Sequence, residues 1–156
     1  MLLTLPELAA EAARLRADGR RLVLTNGCFD ILHVGHVDYL ERSRALGDAL
    51  AVAVNSDNSV RGLKGPGRPV NCEGDRARVL SALRCVDFVV VFDSPRATKV
   101  IAAVRPALYA KGGDYTPESL NPEEHAALDE AGTEIHILPL VPGRSTTAIL
   151  ARAAKP

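Results

Sequence analysis

The chain has 156 residues, 47% of them apolar and 24% charged, with 19 basic and 19 acidic side chains that cancel at neutral pH. That profile belongs to a globular domain with a real core. It lacks the basic excess of a general nucleic-acid binder, the roughly 20-residue apolar run of a membrane span and the aromatic platforms that stack single strands.

Thr4 and Glu7 have capping-box spacing, Leu5, Leu8, Ala12 and Leu15 share one helical face, and Gly19 ends the pattern. This helix precedes the alternation that follows, so residues 1–20 are expected to form an accessory helix beside an α/β core of residues 21–156, all in a single domain. Strand one is predicted at Leu22–Thr25, followed by a helix from Gly35 to Leu46 and strand two at Leu50–Val54. A basic Gly/Pro-rich loop, Arg61–Pro69, leads to a helix over Glu73–Leu83. Strand three is the apolar run Phe88–Phe92, the kind buried on both faces. Ser94-Pro95 starts the next helix, with Pro in its first turn. Strand four follows at Ala107–Ala110. Asn121, Pro122 and Glu124 supply a cap, a first-turn proline and an acid at the third position of another helix. Strand five is Glu134–Leu138, and a last helix from Ser145 carries Ile149 and Leu150 inward. Alternating β and α with short connections implies a Rossmann-like open five-stranded parallel sheet with helices on both faces.

In open α/β sheets, ligands sit beyond the carboxyl ends of the strands. Strand one is followed by Asn26-Gly27-Cys28-Phe29-Asp30 and then His33-Val34-Gly35-His36, two imidazoles around a bare backbone at a helix start, where amide N–H groups and the helix dipole favour phosphate. Strand two is followed by Asn55-Ser56-Asp57, with Lys64 and Arg68 further on, strand four by Lys111-Gly112-Gly113-Asp114, and strand five by Gly143-Arg144-Ser145-Thr146-Thr147. These four clusters converge on one edge. Neither a P-loop nor a dinucleotide fingerprint is present, nor a serine nucleophile elbow, nor a carboxylate cluster for a tight metal cage, so no protein-held metal site is expected. What remains is a set of cations and neutral donors, suited to transfer at phosphorus, where positioning and charge stabilisation do most of the catalysis.

Thr25–Asp30, His33–His36, Ala53–Asp57, Leu63–Pro69, Asp75-Arg76, Lys111–Tyr115 and Ser145–Thr147 together form a recognisable pattern. From Arg21 to Leu150 the chain resembles the nucleotidyltransferases with an H-x-G-H motif, in their cytidylyltransferase-like branch. Within that branch it is most similar to the adenylyltransferases that make ADP-heptose from a heptose 1-phosphate. The resemblance implies that ATP (or CTP) gives its nucleoside monophosphate to a sugar phosphate such as D-glycero-D-manno-heptose 1-phosphate, with pyrophosphate leaving. It implies that His33 and His36 stabilise phosphate charge and that Lys64, on a mobile loop, bridges the phosphates of acceptor and nucleotide. Asn26, Gly27, Phe29, Gly35, Lys111, Gly112, Asp114, Ser145, Thr146 and Thr147 are then nucleotide-binding residues. Asn55, Asp57, Arg68 and Arg76 fall to the acceptor, as does Asp30 unless it braces its own loop. Mg²⁺ is expected on the nucleotide's phosphate oxygens, and a homodimer is expected with no nucleic-acid or membrane partner.

Two alternatives stay open at this point. One is a cytidylyltransferase acting on glycerol 3-phosphate or another phosphate acceptor. The other is a non-catalytic nucleotide-binding regulatory module, against which the intact histidine pair and Lys64 argue. Cys28 lacks a paired base and is expected to pack rather than attack, while His125 and His136 are expected at surface or edge positions. The odd cysteine count without a C-x-x-C pattern, and the lack of a basic-then-apolar leader, fit reduced thiols in the cytoplasm.

Overall fold

A computed structural model describes residues 1–113 and 120–153. It contains helix α1 (Leu5–Ala17), strand β1 (Leu22–Gly27), α2 (Val34–Arg44), β2 (Ala49–Asn55), α3 (Asp57–Lys64), α4 (Glu73–Ser81), β3 (Phe88–Phe92), α5 (Thr98–Val104), β4 (Leu108–Gly112), α6 (Pro122–Ala131), β5 (Glu134–Leu138) and α7 (Thr146–Ala153). The five strands form one parallel sheet in the order β3-β2-β1-β4-β5. The Rossmann-like architecture expected from the alternation is therefore the one observed. Strand order reverses between β1 and β4, the place where such sheets open a ligand crevice. Pairing shows how it opens. β1 stays in register with β2 through Gly27↔Val54, but with β4 it pairs only at Val23↔Leu108 and Leu24↔Tyr109. Beyond those residues β1 and β4 part towards their carboxyl ends.

Side-chain size along β2 sorts the two faces. Ala49, Ala51 and Ala53 face the layer containing α1, α5 and α6, whereas Leu50, Val52 and Val54 face α2 and α4. Alanines on one face let helices lie close to the sheet; branched residues fill the wider gap on the other. Helix α1 starts where the Glu7 carboxylate accepts both the Thr4 N–H and hydroxyl at 2.7 Å. It ends in a Schellman turn at Gly19, with Arg20 N donating to Leu15 O (2.8 Å) and Gly19 N to Arg16 O (3.1 Å). Its Leu8, Ala12 and Leu15 are buried in the sheet-facing core. Although outside the βα alternation, this helix completes one layer.

Three local expectations change. The segment read as a loop from Arg61 begins instead as α3, capped by the Ser56 hydroxyl accepting from Ser59 N at 3.1 Å. Eight residues that bury only Ser59 and Val60 leave little periodicity to read. Helix α5 starts at Thr98, not Ser94, because residues before it bond elsewhere: Ser94 O accepts from Asn55 and Ser59, and Ala97 N donates to Glu124. In α7, Ile149 and Leu150 are only half-buried. Among the described residues no helix is long and apolar enough to cross a membrane.

Because α1 closes the core, Leu8→Ala is expected to lower the unfolding free energy by about 2–5 kcal/mol. Urea unfolding of the variant checks this; a loss under about 0.5 kcal/mol, the size of a surface change, contradicts it.

Candidate active site

The carboxyl end of β1 runs into the loop that carries the two histidines. His33 is the N-cap of α2 without a side-chain capping bond, so its ring is free to turn into the crevice. It stacks on His36 with centroids 3.8 Å apart and planes at 20°, and Phe29 sets its edge against His36 at 5.4 Å. Phe29 does so from a left-handed backbone conformation, φ 45°, an uncommon one for a bulky side chain. Both Nδ1 atoms are buried without a hydrogen-bond partner, which leaves Nε2 as the nitrogen each ring offers to a ligand. Burial, then the Arg144 charge, lowers the His33 pKa, and burial, then the neighbouring His33, pushes that of His36 down to about 4. At neutral pH both rings in the free protein are therefore held in the neutral form. Space at Gly35 is tight: a Cβ there would lie 3.1 Å from the His33 ring and 3.2 Å from Arg144 Cβ, so the stacked ring would have to shift by a few tenths of an ångström.

The start of α7 closes over this loop. Thr146 Oγ1 donates to Ile31 O at 3.2 Å and Ser145 Oγ accepts from Ala148 N at 3.1 Å. Arg144, Ser145, Thr146 and Thr147 thus line the same cleft as His33 and His36. On the other side of β1, the parting strands hold Asn26, whose Oδ1 accepts from the Tyr109 hydroxyl (2.5 Å) and from Lys111 Nζ (3.0 Å). Burial lowers the Lys111 pKa. At Gly112 a Cβ would fall 2.9 Å from the end of the exposed Leu140 side chain and 3.1 Å from the Tyr39 ring, so a side chain there would displace Leu140. Asp114 lies outside the described residues.

The residues expected to bind the acceptor divide into two groups. Asn55, Lys64 and Arg68 line the cleft, as does Asp30, but Asp30 is engaged by the protein. Its carboxylate accepts from Val70 N (2.7 Å), Asn71 N (3.1 Å) and Arg68 Nε, and Asn71 Nδ2 donates back to Asp30 O. Burial alone would raise the Asp30 pKa; the amide of Asn71, the Arg68 guanidinium and the amide of Val70 outweigh it and hold the carboxyl below its ordinary value. Of the two readings left open for Asp30, the structure favours bracing. Arg76 and Asp57 do not line the cleft. Arg76 is 2% exposed. It donates to Asn71 O (3.0 Å), Cys28 O (2.6 Å), Asn55 O (2.8 Å) and the Asp57 carboxylate (2.9 Å). The anionic partner that a cation at a helix start calls for is Asp57 of the same chain, so the assignment of this pair to the acceptor gives way to a bracing role. Lys64 is exposed at the end of α3, held by a helix rather than by a mobile loop. Burial pushes the Cys28 thiol up against the pull of Lys64 and Arg76. That fits packing rather than attack.

The lining of this cleft of about 950 Å³ also includes residues outside the expected set, among them Tyr39, Arg96, Glu124 and Arg144. Arg144 sits inside a polar cluster already noted and Arg96 follows β3, so both carry the strand-end signal. Tyr39 and Glu124 are helical and reach the cleft only through packing. The sum is a cleft at the sheet's switch point whose wall is built from imidazoles, cations, hydroxyls and a helix N-terminus. Residues 24–150 match the cytidylyltransferase-like family. The chain belongs to that family, whose members are nucleotidyltransferase enzymes.

Among curated members, the bifunctional protein HldE of Hyphomonas neptunium is 50% identical over 97% of this chain, and that of Streptomyces coelicolor is 51% identical over 94%. The chain spans 31% of the length of each. Of solved structures, a lipopolysaccharide core biosynthesis protein from Thermoplasma volcanium superposes with a TM-score of 0.64 at 29% identity, covering 79% of this chain and 98% of that one. A pantothenate synthetase from Thermus thermophilus, at 18% identity and a TM-score of 0.58 over 90% of this chain and 62% of its own, shares the fold.

In this cytidylyltransferase-like domain the buried Arg76 ties the cleft's supporting segments together. Arg76→Met leaves the Asp57 carboxylate and three carbonyls without their donor. Urea unfolding is expected to show a loss of about 3–5 kcal/mol, partly recovered by Arg76→Lys. Stability within about 0.5 kcal/mol of wild type contradicts the bracing role.

Proposed function

We propose that this domain transfers the AMP moiety of ATP to a sugar 1-phosphate, D-glycero-D-manno-heptose 1-phosphate, giving ADP-heptose and pyrophosphate. The observation that carries the reading is the composition of the cleft wall. It offers donors and cations, while the two buried carboxylates that line it, Asp30 and Glu124, already accept from protein amides. A phosphate oxygen of the acceptor is ionised at neutral pH and attacks without a general base. It forms a bond to the α-phosphorus in line with the breaking bond to the β-phosphate oxygen, and pyrophosphate leaves. Charge accumulates on the bridging and leaving oxygens, where pre-set donors lower the barrier. His33 and His36 through Nε2, Lys64, Arg144 and the start of α7 at Ser145, Thr146 and Thr147 are the groups we assign to that task. Lys111 and Gly112, with Asn26 and Gly27, line the side of the cleft assigned to the nucleoside.

Mg²⁺ carried by the nucleotide's phosphates would supply charge neutralisation there, leaving Lys64, Arg144 and the two histidines to bind and orient the phosphates. A lining of imidazoles, cations and hydroxyls would leave that ion to the nucleotide's own oxygens. The acceptor assignment draws on the similarity to HldE proteins and to a protein described as acting in lipopolysaccharide core biosynthesis. The family's cytidylyltransferase-like description keeps CTP with glycerol 3-phosphate as the second reading. We place the reaction in the cytoplasm, where ATP is available and the three free cysteines stay reduced.

Pyrophosphate release from ATP and CTP, each with heptose 1-phosphate, mannose 1-phosphate and glycerol 3-phosphate, tests the proposal. ATP with heptose 1-phosphate is expected to give the highest kcat/KM, and no release from any pair rejects the reading. In the same assay His36→Ala should lower kcat by about 10²–10³, the usual effect of removing one pre-set donor, while its melting curve stays cooperative. Turnover within a few-fold of wild type removes His36 from the mechanism.

A further inference from the structure

Transfer between two phosphates sets two polyanions in contact, so the acceptor's phosphate needs cations of its own. Most cations of the cleft are already committed. Arg68 is paired with Asp30 and Lys111 with Asn26. Arg144 lies beside Gly35 and His33, on the wall assigned to the triphosphate. Lys64 and Arg96 remain. Both line the cleft, and among the described residues no hydrogen bond or ion pair engages the Lys64 ammonium or the Arg96 guanidinium.

The segments that carry these two side chains are fastened to each other. Ser56, the cap of α3, donates to the Asp93 carboxylate and accepts from Ser59 N. Ser59 Oγ and Asn55 Nδ2 both donate to Ser94 O, at 2.7 and 3.1 Å, and Ala97 N donates to Glu124 at 2.8 Å. Asn55, Ser56, Ser59 and Glu124 are all buried. Asn55, Ser56 and Ser59 thus hold the turn before α5 against the end of β2 and the start of α3, Glu124 ties it to α6, and Leu63 and Pro95, the neighbours of Lys64 and Arg96, line one shared side groove. The backbone that carries Arg96 is fixed by these bonds, and its exposed side chain is left to reach a ligand. A guanidinium fork is moreover the group that matches phosphate bidentately.

We propose that Arg96 and Lys64 form the subsite for the acceptor's phosphate, a phosphomonoester dianion held on the β2–β3 side of the cleft and apart from the triphosphate wall. The subsite deepens the transfer reading above and takes from it the class of acceptor. Arg96 is its specificity-determining member, because Lys64 also faces the nucleotide.

The test is calorimetric titration of protein saturated with α,β-methylene-ATP, which cannot transfer its AMP. The probes are inorganic phosphate, which carries the shared chemistry without the sugar, and heptose 1-phosphate. Arg96→Met should bind both probes about 10-fold or more weakly, the loss of one charge-assisted contact, with Arg96→Lys between it and wild type. Affinity of the free protein for α,β-methylene-ATP should stay within about twofold, since in this account Arg96 does not touch the triphosphate. Unchanged probe affinity in Arg96→Met, or nucleotide affinity falling in parallel, overturns the subsite. So does wild-type protein that binds neither probe. Probe binding that depends on Arg96, without pyrophosphate release from any sugar phosphate, rejects the transfer reading and keeps the subsite.

Discussion

Burying a charged group costs several kcal/mol unless its hydrogen-bonding capacity is met. In this chain that requirement shapes the site. Arg76 has its side chain fully buried and finds its acceptors on four separate segments: Cys28 in the loop after β1, Asn55 at the end of β2, Asp57 in the first turn of α3 and Asn71 before α4. Asp30 adds a second tie, from the histidine loop to Arg68, Val70 and Asn71. The strand end that carries the histidines and the helix that carries Lys64 are therefore set relative to one another by buried charges. The cleft between them is pre-organised, as charge stabilisation by fixed donors requires.

The second constraint is the parting of β1 and β4. Parallel strands that stayed paired to their ends would leave no room for a nucleotide. Here the pairing stops at Leu24↔Tyr109, and the backbone beyond it carries Asn26, Gly27, Lys111 and Gly112. Tyr109 and Lys111 converge on Asn26 across the gap, so polar side chains bridge the two strands where ladder pairing has ended. The helices that follow β1 and β5 bring their N-termini to the same opening, which adds partial positive charge where phosphates are to lie.

Much of this is legible in the sequence. β3 reads directly from its apolar run and β5 from its alternation of polar and apolar residues, each bounded by turn-forming residues, and the histidine motif reads because glycine and two imidazoles at a strand-to-helix junction have few other uses. The misread parts share a physical cause: their partners are distant in the chain. Arg76 looks like a substrate-seeking cation because Cys28, 48 residues away, and Asn55, 21 away, leave no local trace. Ser94-Pro95 looks like a helix start because the bonds from Asn55 and Ser59 that hold it out of helical geometry span 39 and 35 residues. Helix α3 is too short, and too thinly packed, to show a period. Arg96 and Arg144 do stand at strand ends, where the rule for open sheets would find them.

The central claim is chemical: transfer to an acceptor that brings its own charge, in a cleft whose described carboxylates are already engaged by protein amides. The pH dependence of kcat, measured with ATP and the best sugar phosphate from about pH 5 to 9, addresses it directly. The account predicts a single rise as the acceptor phosphate loses its second proton, with a pKa of about 6, and a plateau above it. An inflection near or above neutrality that disappears when a side chain of the cleft is replaced would mean that a general base operates, and the account would be wrong.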